Sequence, residues 1–115
     1  MLGGLIGRLM GGAGHAGPDF EAVKLAVEAG AAHIVDVREE HEFAGGHVPG
    51  ALNMPLSRFD AAALPADKPV ILMCLSGARS ARAFGQCKST GRSDISNYSG
   101  SMADWRAHGG RIASR

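Results

Sequence analysis

A cysteine closes an apolar run midway along this chain. Val70-Ile71-Leu72-Met73 ends in Cys74, and Leu75-Ser76-Gly77-Ala78-Arg79-Ser80 follows before the helix-like stretch Ala81–Gln86. A strand that ends in a cysteine, turns tightly and feeds a helix puts a thiol at a helix N-terminus. Backbone N–H groups there converge, and the helix dipole favours negative charge. Such surroundings lower a thiol's pKa and make it a nucleophile near neutral pH. Gly77 allows the backbone to curl into a cup. Arg79 is a solvated charge, a salt-bridge partner or, as its place in the loop favours, a positive charge at the rim, where a guanidinium fork suits an oxyanion. Arg82, one helical turn on, is either a second rim charge or part of a solvated face. A strand-end cysteine without this context is usually a small core residue; Gly77, Arg79 and the helix favour a thiolate in an anion-binding cup.

The elements that must hold this loop alternate along the chain. Pro18 or Asp19 starts a helix whose apolar stripe is Phe20, Val23, Leu25-Ala26 and Ala29, and Gly30 ends it. Ile34-Val35-Asp36-Val37 reads as a short buried strand, and Glu39–Phe43 as one or two helical turns stopped by Gly45-Gly46. Ala51-Leu52-Asn53 is a second strand, ended by Pro55. Ser57–Leu64 reads as a short helix. Val70–Met73, apolar at every position, is the central strand of a sheet covered on both faces. Ser80–Lys88 follows as a helix, then a weak strand over Ile95–Tyr98. A last helix, Met102–His108, is capped by Ser101 and stopped by Gly109-Gly110. The expected fold class is α/β: a small three-layer domain with a mostly parallel central sheet flanked by helices. Sites in such sheets lie beyond the C-terminal strand ends, where Cys74 falls.

Two blocks of residues resemble the rhodanese-type sulfurtransferases. Cys74-x-x-Gly77-x-Arg79-Ser80 is similar to that family's active-site loop. Upstream, Val35-Asp36-Val37-Arg38, then Glu42-Phe43, then Gly46-His47-Val48-Pro49-Gly50-Ala51-Leu52-Asn53 follow its signatures in order and spacing. Ser99-Gly100-Ser101 with Trp105 and Gly109-Gly110 is similar to an altered form of its ending, and Lys88-Ser89-Thr90 and residues 95–101 are more polar than is usual there. The resemblance covers roughly residues 19–112.

It implies a sulfurtransferase in which Cys74 attacks the outer sulfur of a donor, thiosulfate or a persulfide, and keeps that sulfur as a cysteine persulfide. Leu75, Ser76, Gly77, Ala78, Arg79 and Ser80 form the substrate-binding loop. A thiol acceptor such as glutathione or thioredoxin, a sulfur-relay protein, or cyanide then removes the sulfur. By the same resemblance Asp36, Arg38, Glu42 and His47 support the site: Asp36 bonds loop backbone, Arg38 pairs with a carboxylate such as Glu42, and His47 packs. On the residues alone, Glu39, Glu40 and Glu42 read as a solvated helix face, and Trp105 as a core anchor under the sheet edge. Arsenate reductases and dual-specificity phosphatases on the same fold carry five residues between cysteine and arginine; here there are four, Leu75 to Ala78, which suits a single sulfur atom. A non-catalytic binding or sulfur-carrier module is the remaining alternative, and such modules usually lose the cysteine.

Size and composition agree with one domain. A chain of 115 residues buries on the order of two-thirds of its unfolded surface. Net charge is +1 with mixed signs, which implies no nucleic-acid partner. Two cysteines 13 residues apart make neither a disulfide framework nor a zinc site, so no metal and no cofactor are expected. Free thiols fit a reducing cytoplasm. Cys87 lies on the order of 10 Å along its helix from the loop, beyond the ~7 Å reach of a disulfide. Residues 1–18 form a glycine-rich N-terminal arm ahead of the domain at 19–115. Its apolar start, Met1-Leu2-Gly3-Gly4-Leu5-Ile6-Gly7, is too short to span a membrane and lacks the pattern of a signal peptide. It reads as a loose arm or as a docking segment for a membrane surface or partner.

Overall fold

The computed structural model describes residues 17–114. Most of the glycine-rich arm therefore lies outside the described residues. Four strands, β1 (His33–Asp36), β2 (Leu52–Asn53), β3 (Val70–Met73) and β4 (Ile95–Asn97), form one sheet in the order β2-β1-β3-β4, and every pairing is parallel. The helices are α1 (Phe20–Ala29), α2 (Glu40–Ala44), α3 (Ala78–Gln86) and α4 (Ser101–Ala107).

The strand sequences explain the layers. Successive side chains on a strand point to opposite faces. Ile34, Ile71 and Met73 meet α1 and α4 through Phe20, Val23, Met102 and Trp105. Val35, Val70 and Leu72 meet Ala83, Cys87, Leu64 and Ile95 on the other side. Both faces of β3 are covered, so an unbroken apolar run replaces the usual alternation. The result is the expected three-layer α/β arrangement. Trp105 is a core anchor as expected: it is buried, packs against Phe20 with ring centroids 5.1 Å apart, and donates its indole N–H to Arg111 O at 2.8 Å.

Several local expectations are corrected. Leu25 is not on the buried stripe of α1 but exposed. At 100° per residue it falls off the arc that Phe20, Ala22, Val23 and Ala26 bury. The helix expected over 57–64 is two 3₁₀ turns, Leu56–Arg58 and Ala61–Ala63. Phe59 and Asp60 between them are extended, and the Asp60 carboxylate accepts the Ala62 N–H at 3.0 Å. A short polar side chain that bonds nearby backbone offers an alternative to the α-helical ladder. β4 stops at Asn97, although the Tyr98 N–H still reaches Leu72 O. α3 begins two residues earlier than expected and gives way at Cys87 to a 3₁₀ turn, Cys87–Thr90. Ser101 does not cap α4; it is the first helical residue, with φ +57°, and Gly100 precedes it as the cap. Among the described residues no helix is long and apolar enough to cross a membrane, and no cluster of three His, Cys, Asp or Glu side chains could hold a metal ion.

Candidate active site

Cys74 follows directly on β3, and the N-terminus of α4 anchors it there. Met102 donates its N–H to Cys74 O at 3.0 Å, and Ala103 donates to Leu75 O at 2.9 Å. The Cys74 N–H goes to the Ser101 hydroxyl at 3.0 Å, while that hydroxyl donates to Tyr98 O at 2.9 Å. The chain then turns through Gly77, where φ is +103°. A Cβ at this position would also collide with Ser99 O. Both the conformation and the close approach therefore require glycine. α3 begins at the next residue.

The cup this produces faces the thiol. The Gly77 N–H lies 3.1 Å from Cys74 Sγ, and Ser101 Oγ is 3.9 Å from it. Ser80 secures the turn by donating its hydroxyl to Gly77 O at 3.2 Å. Burial pushes the Cys74 thiol up. The Ser80 hydroxyl and the N–H groups of Ser80, Gly77 and Ser76 outweigh it and hold the thiol below its ordinary value. Cys74 itself is buried, while Leu75, Ser76 and Ala78 are exposed around it. Cys87 behaves oppositely: burial pushes its thiol up, opposed by the charge of Arg92. Only one of the two free cysteines has surroundings that favour a thiolate.

The charged residues are paired differently from the sequence expectation. Arg38 does not pair with Glu42. It donates Nε and Nη2 to the buried Asp36 carboxylate at 2.8–3.1 Å, and Nη2 also reaches Gly46 O at 2.7 Å. Asp36 in turn accepts the Arg38 backbone N–H at 2.9 Å. Asn53 donates to the carbonyls of Asp36 and Arg38, tying β2 to the same corner.

Glu42 belongs to Arg79, not to a solvated face. Arg79 Nη1 and Nη2 meet the two Glu42 oxygens at 2.7 and 3.0 Å, fork on fork. The Arg79 hydrogen bonds pull the Glu42 carboxyl down to about 2; burial opposes them and the Glu39 N–H assists. The same bond to Glu42 raises Arg79 above its already high value, against burial and with smaller help from the charges of Glu42, Cys74 and Asp36. His47 stacks on Phe43 with ring centroids 3.7 Å apart, and its Nδ1 lies 2.7 Å from Phe43 O. Arg82 is exposed.

The fold thus joins the loop from Cys74 to Ser80 to Glu42 through Arg79, and separately joins Asp36 to Arg38. Ser101 is the contact that sequence reasoning missed: it read as a cap, 27 residues from the cysteine whose backbone it holds. The only hint was its place in the stretch similar to the family's glycine-rich ending.

Comparison with known proteins agrees with this architecture. Residues 19–108 match the family model for the rhodanese-like domain. An uncharacterised Bacillus subtilis protein, YqhL, is 40% identical over 86 residues, covering 73% of this chain and 66% of that protein. The thiosulfate:glutathione sulfurtransferase of Saccharomyces cerevisiae is 38% identical over 92 residues, covering 67% of this chain and 66% of the enzyme. The chain therefore spans just under two thirds of these two relatives. The structure of the human single-domain sulfurtransferase TSTD1 superposes with a TM-score of 0.67 at 28% identity, covering 82% of this chain and 97% of that one.

Proposed function

The chain belongs to the rhodanese family, and from that premise we propose that it is a sulfurtransferase working through a persulfide on Cys74. One observation carries the proposal: a buried strand-end thiol whose Sγ faces the Gly77 N–H at 3.1 Å, where burial pushes the thiol up and Ser80 with the N–H groups of Ser80, Gly77 and Ser76 outweighs it. That ring stabilises an anion at Sγ, and after transfer it stabilises the persulfide anion one atom further out.

Each half-reaction is a displacement at sulfur. The Cys74 thiolate attacks the outer sulfur of thiosulfate, the S–S bond of the donor breaks, and its electron pair leaves with sulfite. A thiolate acceptor then attacks the outer sulfur of the Cys74 persulfide and restores the Cys74 thiolate. This is thiol–disulfide exchange logic with a different leaving group, and it gives ping-pong kinetics. The yeast relative's name supports glutathione as one acceptor; thioredoxin or a sulfur-relay protein fits the same step. Leu75, Ser76, Gly77, Ala78 and Ser80 line the donor's approach, Arg79 stands at the rim, and Asp36, Arg38, Glu42 and His47 brace the frame. His47 stacks on Phe43 and holds Nδ1 2.7 Å from Phe43 O, and the Gly77 N–H, 3.1 Å from Cys74 Sγ, supports the thiolate in place of a base. The four-residue spacing from Cys74 to Arg79 favours a sulfur atom over a phosphate or arsenate. A free thiolate of this kind fits a reducing compartment, and we place the protein in the cytoplasm on that ground.

The test is mass spectrometry of protein incubated with thiosulfate. A gain of about 32 Da on Cys74 is expected, as a persulfide adds one sulfur. It should discharge with glutathione or cyanide and be absent in Cys74→Ser. Thiocyanate formation by a well-folded Cys74→Ser protein would overturn the assignment.

A further inference from the structure

The turn from β4 into α4 forms the second wall of the cup. The Ser101 hydroxyl takes the Cys74 N–H, and the N–H groups of Met102 and Ala103 bond the carbonyls of Cys74 and Leu75. Ser99 O presses on Gly77, where a Cβ would collide with it. The turn itself is held in an unfavourable shape. Ser101 takes φ +57°, a region that crowds any residue with a Cβ. Gly100 lies so close under α4 that a Cβ there would collide with the Asp104 side chain. Such a conformation persists only where its surroundings over-determine it.

A side-chain bond spans this turn. Tyr98, directly after β4, donates its hydroxyl to Asp104 Oδ2 at 2.6 Å, and Asp104 lies three residues into α4 from Ser101. The Tyr98 ring is buried in the cluster that holds Met73, Met102 and Trp105. Its backbone is committed as well. The Tyr98 N–H reaches Leu72 O at 2.9 Å, and its carbonyl accepts the Ser101 N–H at 3.1 Å and the Ser101 hydroxyl at 2.9 Å. Burial and then the Asp104 bond push the Tyr98 hydroxyl well above its ordinary value, so it remains a donor across the neutral range. The stretch 98–104 that this bond closes contains Ser99 O, the Ser101 hydroxyl and both N–H groups through which α4 grips the loop.

We propose that Tyr98 and Asp104 are positioning residues for the nucleophile: their hydrogen bond clasps the β4–α4 turn in the shape that sets the Cys74 thiolate against its N–H donors. The inference rests on the sulfurtransferase reading above. Neither residue touches the reacting sulfur. They act through Ser101 on Cys74 and through Ser99 on Gly77, whose N–H stands 3.1 Å from Sγ. Donors fixed in advance at the charged atom are what stabilise it, so a wall that relaxes weakens the thiolate and slows its attack.

The experiment compares Tyr98→Phe, Asp104→Ala and Asp104→Asn with the wild type in the full chain. Phenylalanine keeps the buried ring and deletes only the hydroxyl; asparagine keeps an oxygen for that hydroxyl. Persulfide formation on Cys74 from thiosulfate is followed by rapid-quench mass spectrometry, and the thiol's ionisation by the pH dependence of iodoacetamide alkylation. Tyr98→Phe and Asp104→Ala should each lower the limiting rate about tenfold, the scale of a shift of about half an ångström where about 1 Å can cost a hundredfold. The half-saturating thiosulfate concentration should stay within about twofold. Their alkylation midpoints should rise toward the ordinary thiol value of 9.0. The double variant should be no slower than either single one, and Asp104→Asn should stay within about twofold of wild type. A lowered urea midpoint with unchanged rate and alkylation would mean that the bond only stabilises the fold, and would overturn the inference. So would an asparagine as damaging as alanine, a comparison that stands even if Tyr98→Phe does not fold. A wild type that takes no sulfur from thiosulfate would sink the sulfurtransferase reading, while the alkylation midpoints would still decide the clasp.

Discussion

Removing the Ser101 hydroxyl tests whether α4 holds the nucleophile in place. In Ser101→Ala the Cys74 N–H loses its acceptor at 3.0 Å. The site is fully buried, so water does not replace the lost bond. The Tyr98 carbonyl loses the hydroxyl but keeps the Ser101 backbone N–H at 3.1 Å, so the change orphans one group. A buried unpaired donor costs about 1–3 kcal/mol. Ser101→Gly orphans the same N–H, but glycine accepts the +57° φ that serine holds under strain. A left-handed conformation costs an L-residue roughly 1–2 kcal/mol. Glycine should therefore be the milder substitution, by about 1 kcal/mol once its extra unfolded-state entropy is counted. Urea unfolding followed by Trp105 fluorescence reads this directly, since Trp105 is the only tryptophan and is buried. With a slope of about 1 kcal/mol/M, Ser101→Ala should lower the midpoint by roughly 1–3 M and Ser101→Gly by less. Alanine as stable as wild type would show that the hydroxyl does not anchor Cys74, and alanine less damaging than glycine would show that the +57° φ carries no strain.

Alkylation of Cys74 by iodoacetamide should persist below the ordinary thiol pKa of 9.0 and fade only as pH falls through the depressed value; a midpoint at or above 9.0 would contradict the cup. Cys87→Ser should keep persulfide transfer within roughly tenfold, about 1.4 kcal/mol in barrier, because burial holds that thiol protonated; a larger loss in a stable protein would reveal a relay role. Glu42 ionises near 2 when folded against an ordinary 4.5, so its pairing stabilises above pH 4.5 and is lost as pH falls toward 2. The contribution is about 1 kcal/mol after solvent screening, and the stability gap between wild type and Glu42→Gln should close over that window; a gap independent of pH would refute the pairing. Inserting one residue between Leu75 and Ser76 keeps the Leu75 carbonyl on Ala103 but widens the ring of N–H donors. Thiosulfate activity should fall on the order of a hundredfold for a shift of about 1 Å, and unchanged activity would mean that loop length does not select the substrate.

Much of the site was legible in the chain because its cues are local. Four apolar residues leading into Cys74, a glycine three positions on and a helix start specify a strand, a left-handed turn and a ring of N–H groups between Val70 and Ser80. Apolar residues at every position of β3 announce burial on both faces, and hence three layers, whatever the neighbouring helices are. The 3₁₀ turns at residues 56–63 were not legible: short apolar and alanine residues suit an α-helix equally well, and the choice fell to the Asp60 carboxylate bonding its own neighbour. Nor were the pairings across the fold. Arg79 had acids at 39, 40 and 42 to choose from, and Arg38 had Asp36 as well as Glu42. Composition ranks none of these. Only the parallel order β2-β1-β3-β4 brings α2 beside the start of α3, so that Arg79 reaches Glu42 37 residues away. The same stacking sets Ser101 against Cys74 27 residues away. Hydrogen-bonding periodicity acts over a few residues and can be read along a chain. Which charge neutralises which is decided by distances of a few ångströms that exist only after the sheet has formed.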